Sequence, residues 1–167
     1  MIKIKIDKEI NLSNNQILKY FDNAQNLERK RFPLALHKKG AKKNKLLNFL
    51  IKDTYIRPHS HNSLEKKEQV KILYGHIKLI IFDEAGNIVD SKDLKLSNKK
   101  NRFLTIPPFT IHTYLLKSDK AIIYEKMDGK YDINSKTYPN WAPPESTKQS
   151  ILFMKKIEKL TISPVRP

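Results

Sequence analysis

Between residues 54 and 126 the chain is a succession of short runs rich in isoleucine, leucine and aromatics, broken by polar turns at strand-like spacing, and this rhythm restricts the fold more than any other feature. The runs fall at 54–61, 68–82, 88–96, 103–106, 111–117 and 121–126. The five residues from Asp83 to Asn87 have hairpin-turn chemistry, 98–101 reads as a second turn, and Pro107-Pro108 interrupts another run. The 68–82 run holds one glycine, Gly75, where a bend or bulge is expected because glycine weakens a straight strand. The pattern predicts a mainly β domain, a sandwich or a barrel.

The flanks read differently. Ile2, Ile4 and Ile6 alternate with charged residues, as in a protected edge strand. Ser13 or Asn14 can cap a helix whose apolar face is Ile17, Leu18, Tyr20, Phe21 and Ala24. A short strand is expected at 34–37 and a second short helix at 45–51. Residues 1–53 then form a strand and helix flank, 54–128 the barrel, and 129–167 an irregular, proline-rich extension packed on it, all in one structural domain. Within the extension 149–160 reads as helix or strand; periodicity alone does not choose.

With 167 residues there is enough chain for a single domain with a true core. No cysteine is present, which removes disulfides, thiolate metal sites and cysteine nucleophiles and suits a reducing compartment. No stretch reads as a signal peptide or membrane span, so a cytoplasmic location is expected. The net charge is +16, carried by 33 cations of which only five are arginine. Lysine spread in ones and twos, without interleaved aromatics, fits a solvated surface better than a base-reading or phosphate-forking one. A specific nucleic-acid partner is therefore not expected. A basic rim that attracts a small polar, anionic metabolite is.

Chemistry concentrates in His59-x-His61, Glu68 and His112. Side chains two apart on a strand share a face, so the first two imidazoles project together, with Arg57 on the same side. Three imidazoles and one carboxylate suit a divalent ion, Zn, Fe, Mn or Ni, and leave positions open on a six-coordinate one. Glu65 is the alternative carboxylate.

This order of residues resembles the cupin family, in which His-x-His, a glutamate and, six residues on, a glycine are followed by Pro-x-Gly-x-x-His. Glu68 to Gly75 fits the end of the first motif and Pro107 to His112 the second, with two departures. The gap from His61 to Glu68 is long, and Phe109 stands where the motif has glycine. A left-handed φ would strain phenylalanine, so that turn is expected to take another shape. The phrases Glu28-Arg-Lys-Arg with His37, Tyr55-Ile-Arg-Pro-His-x-His61, Ile106-Pro-Pro with His112, Glu125-Lys-x-Asp-Gly-x-Tyr131 and Trp141-Ala-Pro-Pro-Glu145 are similar to the WbuC-family cupins, metalloproteins associated with O-antigen and other surface polysaccharides. The resemblance implies a cupin barrel (a double-stranded β-helix, jelly-roll-like) with an N-terminal helical flank and one divalent metal held by His59, His61, Glu68 and His112. It implies no particular reaction.

Further candidates carry two readings each. Arg57 clamps a ligand carboxylate or phosphate, or pairs with a barrel glutamate. His37 lines the pocket or merely ends a strand. Tyr114 lines the pocket or packs in the core. Tyr131 and Trp141 cover the barrel mouth or anchor the extension, and His76 is expected to be exposed. The function classes left open are a metal-dependent isomerase or epimerase, an Fe(II) oxygenase, a non-enzymatic binding or regulatory barrel, and a metal-free isomerase with a histidine base. A homodimer is the default assembly.

Overall fold

The computed structural model describes residues 4–6, 10–97, 102–129 and 132–162; Ile2, Tyr131 and the turn expected at 98–101 lie outside them. A small hairpin of β1 (Ile4–Ile6) and β2 (Ile10–Leu12) leads into α1 (Asn14–Asn26). Ser13 caps this helix. Its hydroxyl accepts from the Gln16 backbone while the Gln16 side chain accepts from the Ser13 N–H, so two orphan donors of the first turn are satisfied reciprocally. Ile17, Phe21 and Ala24 are buried as the pattern predicts, but Leu18 is exposed.

The main sheet has five antiparallel strands in the order β3 (Arg31–Ala35), β4 (Lys43–Ile51), β11 (Lys120–Asp128), β6 (Glu68–Tyr74) and β9 (Phe103–Ile106). The second sheet orders β10 (Ile111–Leu116), β7 (His76–Phe82) and β8 (Ile88–Lys95). It is extended beside β10 by β5 (Ser60–His61), joined through a His59–His112 bridge, and then by β12 (Lys136–Thr137). Between the sheets lies one apolar interior of Leu50, Val70, Ile72, Ile77, Leu79, Leu94, Ile106, Tyr114 and Ile123.

Both outer faces are also covered. α1 packs on the five-stranded sheet over Leu47, Phe49, Ile51 and Ile122. The C-terminal helix α2 (Lys148–Ile162) lies over the other sheet, Ile157 and Phe153 against Ile80, Phe82 and Leu115. The extension, expected to be irregular with helix or strand at 149–160, thus carries a helix of 15 residues there. This double covering also corrects the expected helix at 45–51, which is the second strand of the main sheet. Phe49 and Leu50 are both buried, one under α1 and the other inside the barrel. A strand buried on both sides loses its alternation and reads as a continuous apolar run. Two smaller differences follow the same logic of context. The strand expected at 34–37 lies at Arg31–Ala35, and of the run 54–61 only Ser60–His61 forms a strand, its preceding stretch being held by side chains instead.

The 68–82 run divides at Gly75 into β6 and β7, which belong to opposite sheets. Gly75 has φ +77°, and a Cβ there would lie 2.2 Å from the carbonyl oxygen of Lys120. The chain therefore turns the barrel corner only with glycine at this position. The Asp83–Asn87 turn closes the β7–β8 hairpin as expected, with Asn87 donating to both Asp83 carboxylate oxygens.

Candidate metal centre

His59, His61, Glu68 and His112 come together at one end of the interior, each buried, with one ligand atom apiece all within 4.8 Å of one another. The fold dictates the meeting. His59 and His112 face each other across the bridge that joins β5 to β10, with both backbone hydrogen bonds formed at 2.9 and 3.1 Å. His61 follows two residues later on the same side. Glu68 opens β6 in the opposite sheet, opposite Ile106. Glu65, the alternative carboxylate, is exposed and outside the cluster.

Hydrogen bonds choose which nitrogen faces inward. His59 Nδ1 donates to Arg57 O and His112 Nδ1 to Thr110 O, both at 2.9 Å, which leaves each Nε2 with a free lone pair. His112 Nε2 lies 3.2 Å from Glu68 Oε2 and His61 Nε2 lies 3.0 Å from the same oxygen. The His112 lone pair thus faces a carboxylate oxygen in a buried space, and among the described residues neither His112 Nε2 nor His61 Nδ1 has a hydrogen-bond partner. Such an arrangement calls for a cation, and the span of the donors is close to the ~4.2 Å across a shell with ligand bonds of about 2.1 Å. The donor set fits one divalent ion of the Zn, Fe, Mn or Ni kind.

Electrostatics prepare the same state. Burial pushes the His59 imidazole well below the ordinary histidine range, helped by the Lys136 ammonium, so it stays neutral. Burial would raise Glu68, but the close approach of the His112 and His61 imidazoles outweighs it and holds the carboxyl well below its usual value. Tyr114, fully buried on β10, donates to the other oxygen, Oε1, at 2.9 Å and orients the carboxylate. Its own hydroxyl is pushed far up by burial and the Glu68 charge.

Behind the histidines the C-terminal extension grips the segment that carries them. Arg57 Nε donates to Ala142 O, Tyr55 OH to Pro143 O, and the Arg57 N–H points at Glu145 Oε1. Glu145 also pairs with Arg29 at 2.7 Å and with the buried Arg31 at 2.5 Å, and Arg31 donates on to Tyr55 O. The phrases around Arg29, Tyr55 and Trp141, far apart in sequence, are therefore one network. The Arg57 guanidinium lies 4.7 Å over the ring of Tyr138, itself 6.2 Å from His59. Trp141 packs on Phe82 and Phe153 and donates to Glu84 O, on the outside of the barrel. His37 accepts from the Lys45 backbone at 3.1 Å and is not among the four clustered residues. His76, expected to be exposed, is partly buried and 2.6 Å from Asp93.

The turn before His112 departs from expectation in an instructive way. Phe109 adopts φ +61°, so the turn keeps the left-handed residue that the glycine of the motif would supply. The Phe109 N–H donates to His61 O at 2.9 Å, which ties the turn to the ligand strand and sustains the strain. Phe109→Gly is expected to raise stability by about 0.5–1 kcal/mol, the left-handed cost less the added entropy of the unfolded chain. Thermal melting should show this as a gain of a few degrees; a lower midpoint would mean that the half-exposed ring makes contacts worth more than the strain.

Three polar residues of the site escaped the sequence reading. Glu125 on β11 receives a hydrogen bond from Asn48 at 2.8 Å, Lys136 pairs with His61 in the β5–β12 ladder, and Tyr138 stands by His59. Glu125 opens one of the family-like phrases but carries no assigned role there, and only the strand register brings the three residues here.

A family model described as a domain of unknown function (DUF6016) matches residues 12–94. No curated protein matches the chain. Among solved structures, a Shewanella oneidensis protein aligns with a TM-score of 0.58 at 9% identity, over 86% of this chain and 92% of its own. An L-ribose isomerase of Cellulomonas parahominis aligns with a TM-score of 0.54 at 10% identity, over 67% and 70%. A cupin 2 conserved barrel domain protein of Rhodopseudomonas palustris aligns at 0.49 and 16%, over 79% and 76%. At these identities the likeness concerns the fold. The chain is a mainly β protein of the cupin fold, with a buried His/Glu cluster able to hold a metal ion.

Proposed function

We propose that the protein is a metal-binding cupin that binds or transforms a small polar metabolite of the sugar or sugar-nucleotide type. The observation that carries this reading is the buried meeting of three imidazoles and Glu68, with His112 Nε2 unpartnered beside the carboxylate. His59, His61, Glu68 and His112 would hold the ion, which when bound supplies a Lewis acid able to polarise a carbonyl or hydroxyl oxygen. Tyr114 keeps the carboxylate in register. Arg57, Lys136, Glu125 and Asn48 offer the charged and hydrogen-bonding groups that an oxygen-rich, anionic ligand requires. A place in surface-polysaccharide synthesis and kinship with WbuC-family proteins rest on the sequence phrases alone. The lack of cysteine accords with work in a reducing cytoplasm. Among the described residues no helix is long and apolar enough to cross a membrane.

The direct test is the metal content of protein purified without a histidine tag. About one divalent ion per chain is expected, lost on lowering the pH because protons compete for the imidazoles. Protein that contains none, and takes up none of Mn, Fe, Ni or Zn, would instead favour a metal-free histidine base.

A further inference from the structure

The inner face of the five-stranded sheet is largely apolar, and besides the buried Arg31 and Asn44 it carries a polar diagonal. Asn48, Glu125 and Glu68 occupy neighbouring strands β4, β11 and β6, and the register fixes their common face. Glu125 lies opposite Val70 and Met127 lies opposite Glu68, so Glu125 and Glu68 are diagonal neighbours, roughly 7–8 Å apart in such a ladder. Asn48 lies opposite Ile123, diagonal to Glu125 on the other side, and donates to Oε2. Val70, Ile72, Ile123 and Leu50 make up the surrounding wall.

A second carboxylate placed beside Glu68 in such a wall is costly unless something compensates it. Among the described residues no cation lies within ion-pair distance of Glu125. Burial first, then the Glu68 charge, push its carboxyl up to about 7, while Lys136 and the Asn48 bond act against them. It does not belong to the four-atom cluster. A fixed acceptor next to a metal centre, with no cation in direct contact among the described residues, is suited to a donor that arrives with the ligand.

We propose that Glu125 is the specificity-determining residue of the centre, accepting a hydrogen bond from a hydroxyl carried on the carbon next to the ligand oxygen that the ion holds. The inference rests on the metal-binding reading and narrows its ligand to α-hydroxy oxygen compounds such as hydroxy acids, hydroxy carbonyls and vicinal diols. Asn48 is then a positioning residue, holding the carboxylate on the inner wall.

The test uses the full chain loaded with Co(II), whose visible spectrum reports ligand exchange, and titrates it with glycolate and with acetate. The two anions differ only in the α-hydroxyl, so their affinity ratio cancels the charge change made by a substitution. Glu125→Leu, of similar size and suited to the apolar wall, is expected to keep one Co(II) per chain. Its preference for glycolate should fall by roughly tenfold or more, the worth of one hydrogen bond to a charged group. Glu125→Gln, which retains an acceptor and the Asn48 bond, should lose only part of the preference and secures the result if the leucine variant folds poorly. An unchanged ratio in both variants would overturn the proposal, as would loss of cobalt from both, which would make Glu125 a support of the ion rather than of the ligand. A wild-type chain that takes no cobalt would overturn the metal reading itself, a failure visible before any variant is made.

Discussion

His112→Ala is expected to reduce metal loading from about one ion per chain to below about a tenth, with affinity falling more than roughly 100-fold, beyond what outer-shell changes cost. His112 has no exposed surface, and its Nε2 faces Glu68 Oε2 with no donor of its own. Removing the imidazole deletes one of the four donor groups that meet around Glu68. The backbone ladder from His112 to His59 needs no side chain, so the variant should still fold. His37→Ala is the informative companion, because His37 serves the Lys45 backbone and should leave loading intact. Elemental analysis of tag-free protein decides the matter. A second readout is thermal stabilisation by added metal, worth about 2.7 kcal/mol at 100 times Kd in the wild type and absent in the His112 variant. Full loading of His112→Ala would remove the four-residue site from consideration.

Gly75→Ala is expected to cost at least about 4–5 kcal/mol, on the scale of a domain's whole stability. Two penalties coincide there. The left-handed φ of +77° costs an alanine about 1–2 kcal/mol, and the new methyl would stand 2.2 Å from Lys120 O and 2.7 Å from Ser118 Oγ. The carbonyl belongs to the start of β11, the middle strand of the main sheet, so it cannot yield without disturbing the barrel. Gly40→Ala separates the two effects. Its φ is +82° but nothing lies within 4 Å of the added carbon, so only the conformational cost, about 1–2 kcal/mol, should appear. Denaturant titration of the pair measures the difference. Equal losses would show that the corner relaxes and that φ alone matters.

What could be read from sequence, and what could not, follows the range of the interactions involved. The Ser13 cap and the Asp83–Asn87 turn are decided within four residues, and both stand as expected. The cluster of three histidines and a carboxylate was legible because its motif encodes strand order, although its parts are up to 53 positions apart. Strand β4 was not, since α1 buries Phe49 while the barrel buries Leu50, and no local rule tells a doubly buried strand from a helix. Phe109 misled in the opposite way. A sound steric rule argued against φ > 0, and a hydrogen bond to His61 O, 48 residues away, overrode it. Lys136 carries no motif, and the phrase that Glu125 opens assigns it no role. Their proximity to the centre exists only once β11 is aligned with β6 and β12 with β5.

The origin of the four ligands has a mechanical consequence. His59, His61 and His112 ride on one sheet, whereas Glu68 rides on the other. An ion held by all four would be a rivet through both walls, at the end of the barrel away from the corner at Gly75. Occupancy and wall separation thereby become a single variable. Anything that pries the walls apart weakens the ion's grip, and a bound ion in turn holds the two walls together.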